Sequence, residues 1–281
     1  MKYVVYDGIL RLTETFYIRS SNRAFRYGDG LFETIHYHKG KLLFWKDHYE
    51  RLTKGMAALS FSRMSFPTSV ELEAQIIDLL VKNRVFNDGR VRLSIFRRGD
   101  GFYKPNNLSA SWLIEVEPLE TRGFPWHEEG LHIGLYKKLQ KHYTPLSPYK
   151  TISSNASILA SIFAKEARHH DALMLNGENL FIESTSSNLF WIKDRVIFTP
   201  AVSSGCVDGV MRKQIIEIAK EMNRSVVETK GATQKELLES EEIFLTNVIS
   251  GIKWVLAIQN KRFYTRLTKT IHENLAKKII S

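Results

Sequence analysis

The stretch from Glu183 to Arg212, ESTSSNLFWIKDRVIFTPAVSSGCVDGVMR, gathers chemistry-bearing residues at short spacing. An acid stands at its head. An Asn188-Leu-Phe turn, a Thr199-Pro200 step and the step Gly209-Val210-Met211-Arg212 follow. Gly205 to Gly209 reads as a loop that opens a helix, because Met211, Ile215, Ile218, Ala219 and Met222 recur at helical spacing. The first turn of a helix leaves backbone N–H groups without intrahelical partners and carries the positive end of the helix dipole. That arrangement is an anion site and suits a phosphate.

The elements around this stretch position it. Leu173 to Leu175 and Leu180 to Ile182 flank Asn176-Gly177 and read as a hairpin, which sets Glu183 at the end of its second strand. Leu189 to Phe198, broken by Lys193-Asp194-Arg195, reads as a second hairpin. Upstream, Pro145 and Pro148 discourage helix. Ser153 or Ser154 can cap a helix whose apolar face is Ala156, Leu159, Ala160, Phe163 and Ala167. Lys150 therefore stands in the approach to a buried helix and not on its polar face.

The N-terminal part alternates short strands with helices. Tyr3 and Val4 lead into a hairpin around Asp7-Gly8 and not into a signal peptide. Gly28 and Gly30 allow a tight turn around Asp29, and Leu31 to Tyr37 reads as a strand. Lys46 to Leu59 is helical, with Leu52, Met56 and Leu59 on one face. A Thr68-x-x-Glu71 capping box opens a helix with Leu72, Ile76 and Leu79 on one face. Val91, Leu93 and Ile95 alternate as a strand, as do Trp112, Ile114 and Val116. The second part holds further strands, among them Ile243 to Val248, and a last helix striped by Leu267, Ile271, Leu275 and Ile279. The order implies an α+β protein with a small N-terminal α/β domain at 1–120, a linker at 121–129 carrying Gly123 and Pro125, and a larger domain at 130–281.

Composition bounds the function. The chain has 281 residues, enough for two modest domains, and no apolar run long enough to span a membrane. The single cysteine, Cys206, excludes an intrachain disulfide and points to a reducing, cytoplasmic setting. No Cys/His cluster has metal-ligand spacing, so no metal is expected. The net charge of +10 is spread along the chain without basic runs or interleaved aromatics, which argues against nucleic-acid binding and for anionic small molecules.

Taken whole, the Glu183–Arg212 stretch resembles the signature of the fold-type IV pyridoxal-phosphate enzymes, the class IV aminotransferase family. SNRAFRYGDGLFETI, residues 21–35, resembles the family's Gly-Asp-Gly-x-Phe-Glu-Thr segment, and HYERL, residues 48–52, its His-x-x-Arg-Leu step. The resemblance covers nearly the whole chain. It implies a two-domain fold resembling D-amino-acid aminotransferase, a homodimer, and pyridoxal 5'-phosphate as cofactor. It marks Lys150 as the lysine that condenses with the cofactor aldehyde, 33 residues before Glu183. It marks Glu183 as the acid facing the pyridine nitrogen. Arg51 becomes a phosphate residue, suited by its planar fork. Asn188, Gly209, Val210, Met211, Asn247 and Val248 complete the cofactor set, and Arg26, Arg97 and Arg98 are candidates for substrate carboxylates. His48 reads as structural.

The family includes branched-chain and D-amino-acid transaminases and aminodeoxychorismate lyases. Three features resemble the lyase branch. Met211 stands where the transaminases usually carry a phosphate-binding hydroxyl, Asn247-Val248 lacks a second one unless Thr246 or Asn247 compensates, and Asn155 stands where branched-chain enzymes commonly have tyrosine. RRGDGFY, residues 97–103, keeps only part of the lyase's Arg-Gly…Arg-Gly-Tyr run, since Asp100 and Phe102 leave one arginine out. The expected activity is cleavage of 4-amino-4-deoxychorismate to pyruvate and 4-aminobenzoate, for folate synthesis. The alternative is transamination of branched-chain or D-amino acids with a 2-keto acid acceptor. Either reaction uses Lys150 as a general base once it has left the cofactor.

Overall fold

A computed structural model describes residues 2–64 and 66–280. Met1 and Ser281, the outer bounds expected for the two domains, lie outside the described residues. Contacts divide the chain into two units. One is the chain up to Gly123 together with Tyr149–Ser153, and the other is Phe124–Pro148 together with the chain from Ser154. The short Tyr149–Ser153 segment, which carries Lys150, thus joins the first unit across a gap in sequence that a linear division at 121–129 does not contain.

The first unit is a six-stranded sheet of β1 (Tyr3–Tyr6), β2 (Ile9–Leu12), β3 (Gly30–His38), β4 (Lys41–Leu42), β5 (Asp88–Arg97) and β6 (Ala110–Pro118). Their order is β2-β1-β6-β5-β3-β4, and every neighbour is antiparallel. Three helices accompany it: α1 (Arg23–Tyr27), α2 (Trp45–Ala58) and α3 (Ser69–Lys82). Because side chains alternate across a strand, Leu31, Ile35, Val91, Leu93, Ile95 and Ile114 face one side. They form a core with Leu52 and Met56 of α2 and Leu72, Ile76 and Leu79 of α3. The capping box at Thr68 and Glu71 is fully formed.

The second unit is built on a nine-stranded mixed sheet. Its strands are β7 (Leu131–Lys141), β8 (Asp171–Asn176), β9 (Phe181–Ser184), β10 (Asn188–Lys193), β11 (Val196–Pro200), β12 (Val226–Thr229), β13 (Glu242–Asn247), β14 (Gly251–Ile258) and β15 (Lys261–Arg262). The two hairpins, β8–β9 and β10–β11, form where the turn residues place them. One extra pairing, between β9 and β10 at Glu183 and Asn188, closes the run β10-β13-β14-β7-β8-β9 on itself. Closure removes strand edges, and the polar residues at the seam are brought together by it. The helices are α4 (Asn155–Glu166), α5 (Val210–Glu221), α6 (Gln234–Glu239) and α7 (Arg266–Ile280).

α4 differs in facing from the sequence expectation. Ala160 and Ala164, with no bulk beyond Cβ, are the residues that approach Tyr136, Ala172 and Met174, and Phe163 packs beside them. Leu159, expected on the buried face, is 45 % exposed. A face of small residues lets the helix lie close on the sheet, which turns the larger Leu159 outward. Ser154 is the N-cap, without a side-chain cap bond.

Candidate active site

In the first unit the glycine-rich N-terminal segment and the lysine segment explain one another. Gly28 ends α1 in the left-handed region at φ 66°, and a Cβ on it would meet Ser153. A Cβ on Gly30 would lie 2.4 Å from the carbonyl oxygen of Ile95 and 2.6 Å from Ile152. Bare backbone at these positions lets the lysine segment lie against the start of β3. Phe32 N–H donates to the Lys150 carbonyl at 2.8 Å and Ile152 N–H to the Gly30 carbonyl at 3.0 Å. On α2, Gly55 likewise leaves room for Tyr149 and Leu31.

The Lys150 ammonium lies 4.6 Å from the centroid of the Phe32 ring, and the Arg92 guanidinium 4.0 Å from the same centroid. Two cations therefore share one aromatic ring, an arrangement the ring quadrupole supports. Arg92 is the residue that sequence reasoning missed. Its signal is faint: it is the fifth residue of an ordinary alternating strand, and only pairing brings Thr34 and Glu115 alongside it.

Glu33, Arg51 and His48 form one buried network. The Arg51 Nε donates to Glu33 Oε1 at 2.8 Å and its Nη2 to Oε2 at 2.5 Å, while His48 Nδ1 lies 2.7 Å from Oε2. Burial alone would raise the Glu33 carboxyl, but Arg51 and His48 hold it down at about 2. Burial lowers His48, more than Glu33 raises it. The glutamate fixes the plane of the guanidinium, so Arg51 is an oriented cation and not a surface arginine, and His48 is structural.

The three arginines read as carboxylate receptors each have partners within the fold. Arg97 is buried and donates to Asp29 and to the Leu59 and Ser60 carbonyls. Arg98 donates to Asp7 and to Ser111. Arg26 is exposed and donates to the Ser20 carbonyl at 3.0 Å. Asp29 also takes the Arg23 guanidinium, so the Gly-Asp-Gly acid is the centre of a structural clamp.

In the second unit Glu183 is buried, with both carboxylate oxygens bonded. Lys141 donates to Oε1, and the Val207 N–H donates to Oε2 at 2.9 Å. Asn188 donates from Nδ2 to the Val207 carbonyl at 2.8 Å. Its Oδ1 lies 1.8 Å from where a Cβ on Gly209 would stand. Glu183, Asn188 and the loop to Gly209 thus form one assembly. Lys141, 42 residues from the acid it pairs with, had no sequence signal.

α5 opens at Val210 behind Gly209, an N-cap with no side-chain cap bond. Val210 and Met211 are buried, and the Arg212 guanidinium turns away to the Pro200 carbonyl and Glu228. The Asn247 side chain closes a turn: its Oδ1 accepts from Ile249 and Ser250 N–H, and its Nδ2 donates to Ser187. Val248 lies within that turn. Among the described residues, the buried hydroxyls of Thr246 and Ser204 have no hydrogen-bond partner. Burial pushes the Cys206 thiol up to about 12, assisted by Glu183, which removes it as a nucleophile.

These features fit a phosphate-bearing cofactor. An uncapped helix start, a glycine with no room for a side chain and unpartnered buried hydroxyls are what an anion uses. The sequence profile of the amino-transferase class IV family matches residues 30–258, and the chain belongs to that family. Members bind pyridoxal 5'-phosphate, and the chain is a pyridoxal-phosphate-dependent enzyme of the lyase or aminotransferase kind.

Among curated relatives, an aminodeoxychorismate lyase of Vibrio harveyi is 29% identical over 265 residues, covering 90% of this chain and 94% of its own. A probable branched-chain-amino-acid aminotransferase of Rickettsia felis is 30% identical over 237 residues, covering 83% and 77%. The branched-chain aminotransferase of Thermoproteus uzoniensis, solved with norvaline, superposes with a TM-score of 0.89 at 23% identity, covering 99% of this chain and 94% of that one. That likeness establishes the fold. No helix among the described residues is long and apolar enough to cross a membrane.

Proposed function

We propose that this enzyme is a 4-amino-4-deoxychorismate lyase, releasing pyruvate and 4-aminobenzoate, and that it works as a cytoplasmic homodimer. The observation that carries the reading is Met211. It is buried at the second residue of α5, where a hydroxyl-bearing residue would mark the transaminase branch. The Vibrio harveyi lyase, similar over almost the full length of both chains, supports it.

Lys150 holds the cofactor covalently, and its amine, once released, takes the proton from the amine-bearing ring carbon of the substrate. Arg92, beside Lys150 on the Phe32 ring, receives a substrate carboxylate. Arg51, kept in plane by Glu33, and the N–H groups of Val210 and Met211 bind the phosphate, and the Thr246 hydroxyl supplies a further donor. Glu183, held at both oxygens, is a fixed carboxylate for the pyridine nitrogen. The cofactor, when bound, supplies the electron sink for carbanion chemistry. Asn188 sets the loop that bears the Val207 N–H.

The relatives are divided, and transamination of branched-chain or D-amino acids is the second reading, favoured by the Rickettsia felis similarity. One experiment separates the two. A lyase returns its cofactor to the aldehyde form each turn, because the amine leaves with the aromatic product. The expected outcome is many turnovers of pyruvate and 4-aminobenzoate from aminodeoxychorismate with no keto acid present. Absence of turnover, together with bleaching of the cofactor band by an amino acid and its recovery with 2-oxoglutarate, would overturn the lyase in favour of the transaminase.

A further inference from the structure

At the end of β3 remote from Lys150, His36 and His38 stand two residues apart and so share one face of the strand. Asp88, which opens β5, is the register partner of His38. All three side chains are buried. His36 Nε2 lies 2.9 Å and His38 Nδ1 2.8 Å from the same carboxylate oxygen, Asp88 Oδ1. The Gly123 N–H donates to that oxygen as well, at 2.7 Å. Asp88 Oδ2, equally buried, has no hydrogen-bond partner among the described residues. Three donors on one oxygen and none on its twin is an uneven way to satisfy a buried carboxylate, since the unpaired oxygen carries an uncompensated desolvation cost.

We propose that His36, His38 and Asp88 form a divalent-cation site, and that zinc is the ion it takes. One ligand atom from each residue lies within 4.8 Å of the others. A tetrahedral zinc with bonds near 2.0–2.1 Å spaces its ligands about 3.3 Å apart. The observed 2.8 and 2.9 Å fall within about half an ångström of that spacing, a change that small side-chain rotations supply. Two imidazole nitrogens and a carboxylate are a zinc set. Calcium and magnesium prefer all-oxygen shells, and a copper(I) site would call for sulfur. Oδ1, which both imidazoles already face, is the oxygen the ion would take.

The site is structural. His36 is four residues from Phe32 along an extended strand, about 13 Å, so an ion there would not touch a substrate held near Lys150. It would tie β3 to β5 and, through Asp88, hold the chain at Gly123, where the first unit ends. Sequence spacing alone hid it: two ligands are two apart, but the third is 50 residues further on.

The test is to dialyse the cofactor-loaded protein against chelating resin, titrate it with zinc chloride, and measure retained zinc by mass spectrometry and the thermal midpoint by calorimetry. One equivalent is expected, with a midpoint raised by several degrees and the cofactor absorbance unmoved. Replacing zinc with cobalt(II) should give the visible bands of a tetrahedral site. The H36Q/H38Q variant should lose at least 100-fold in affinity. H132Q/H170Q, at a histidine pair of the second unit whose rings are 5.8 Å apart, should keep the equivalent. Should H36Q/H38Q not fold, Asp88→Asn retains an acceptor for Gly123 and should weaken zinc at least tenfold. No stoichiometric zinc on the wild type, retention unchanged by these substitutions, or a cofactor band that shifts in proportion to zinc would each overturn the proposal.

Discussion

Lys150 and Glu183 are held in opposite ways. Lys150 enters through its backbone: its segment pairs with the start of β3, and the ammonium lies on an aromatic face. Glu183 is held through its side chain, each carboxylate oxygen taken by a different donor at the seam where β9 meets β10. A group that must change partners during a reaction is best anchored at its root. A carboxylate that acts by its field must be oriented in advance. The two units supply these two kinds of site.

The largest effects should come from Lys150. Lys150→Ala is expected to lower turnover by about 10²–10⁴, the usual worth of a positioned general base, with circular dichroism unchanged. Borohydride reduction of the wild type followed by peptide mapping should place the pyridoxyl group on the Lys150 peptide. A label elsewhere would remove Lys150 from its role and the contrast with it.

Phosphate binding ranks next. Arg51→Ala should weaken cofactor retention by at least about 1.5 kcal/mol, the low end for a charge-assisted bond. Gly209→Ala tests the second unit, because its Cβ would fall on Asn188 Oδ1. Since Gly209 has φ −70°, the residue is not strained by its backbone and the effect is purely steric. We expect a loss of cofactor affinity partly restored by Asn188→Ala. Normal affinity in Gly209→Ala would show that the loop can move and that its rigidity is not what binds phosphate.

Acid stability isolates the Glu33 network. The carboxyl falls from 4.5 to about 2 on folding. Its contribution is therefore present above the unfolded value and lost as pH falls from about 4.5 through about 2. Relative to Glu33→Gln, the wild type should lose roughly 3 kcal/mol across that window, measured as urea unfolding free energy against pH. Parallel acid limbs in the two proteins would mean that the pair with Arg51 contributes nothing. The smallest effect concerns Cys206. Folded protein at pH 8 should resist iodoacetamide, and labelling comparable to that of the urea-unfolded chain would contradict the buried, raised thiol.

The elements of both units were legible where apolar residues repeat at 2 or 3.6. The Asn176-Gly177 hairpin, the Thr68 capping box and the helix after Gly209 all follow from residues within a few positions of one another. The Glu183–Arg212 assembly was legible for the same reason, since acid, loop and helix start lie in one short run. The partners of Arg26, Arg97 and Arg98 were not legible, because residue type does not say where a guanidinium points. Asp29 and the Leu59 and Ser60 carbonyls claim Arg97 through chain reversals that no window of sequence contains.

The sequence by itself determined the periodicities, the turns, the glycines and the family they belong to, because these rest on local sterics and on the order of residue types. Tertiary structure decided the partners. It laid Tyr149–Ser153 on the first unit, set Arg92 and Lys150 over one ring, gave Glu183 its Lys141, and brought His36 and His38 to Asp88. Those pairings span 42 to 118 residues of chain, and only strand register and close backbone approach determine which side chains meet across such distances.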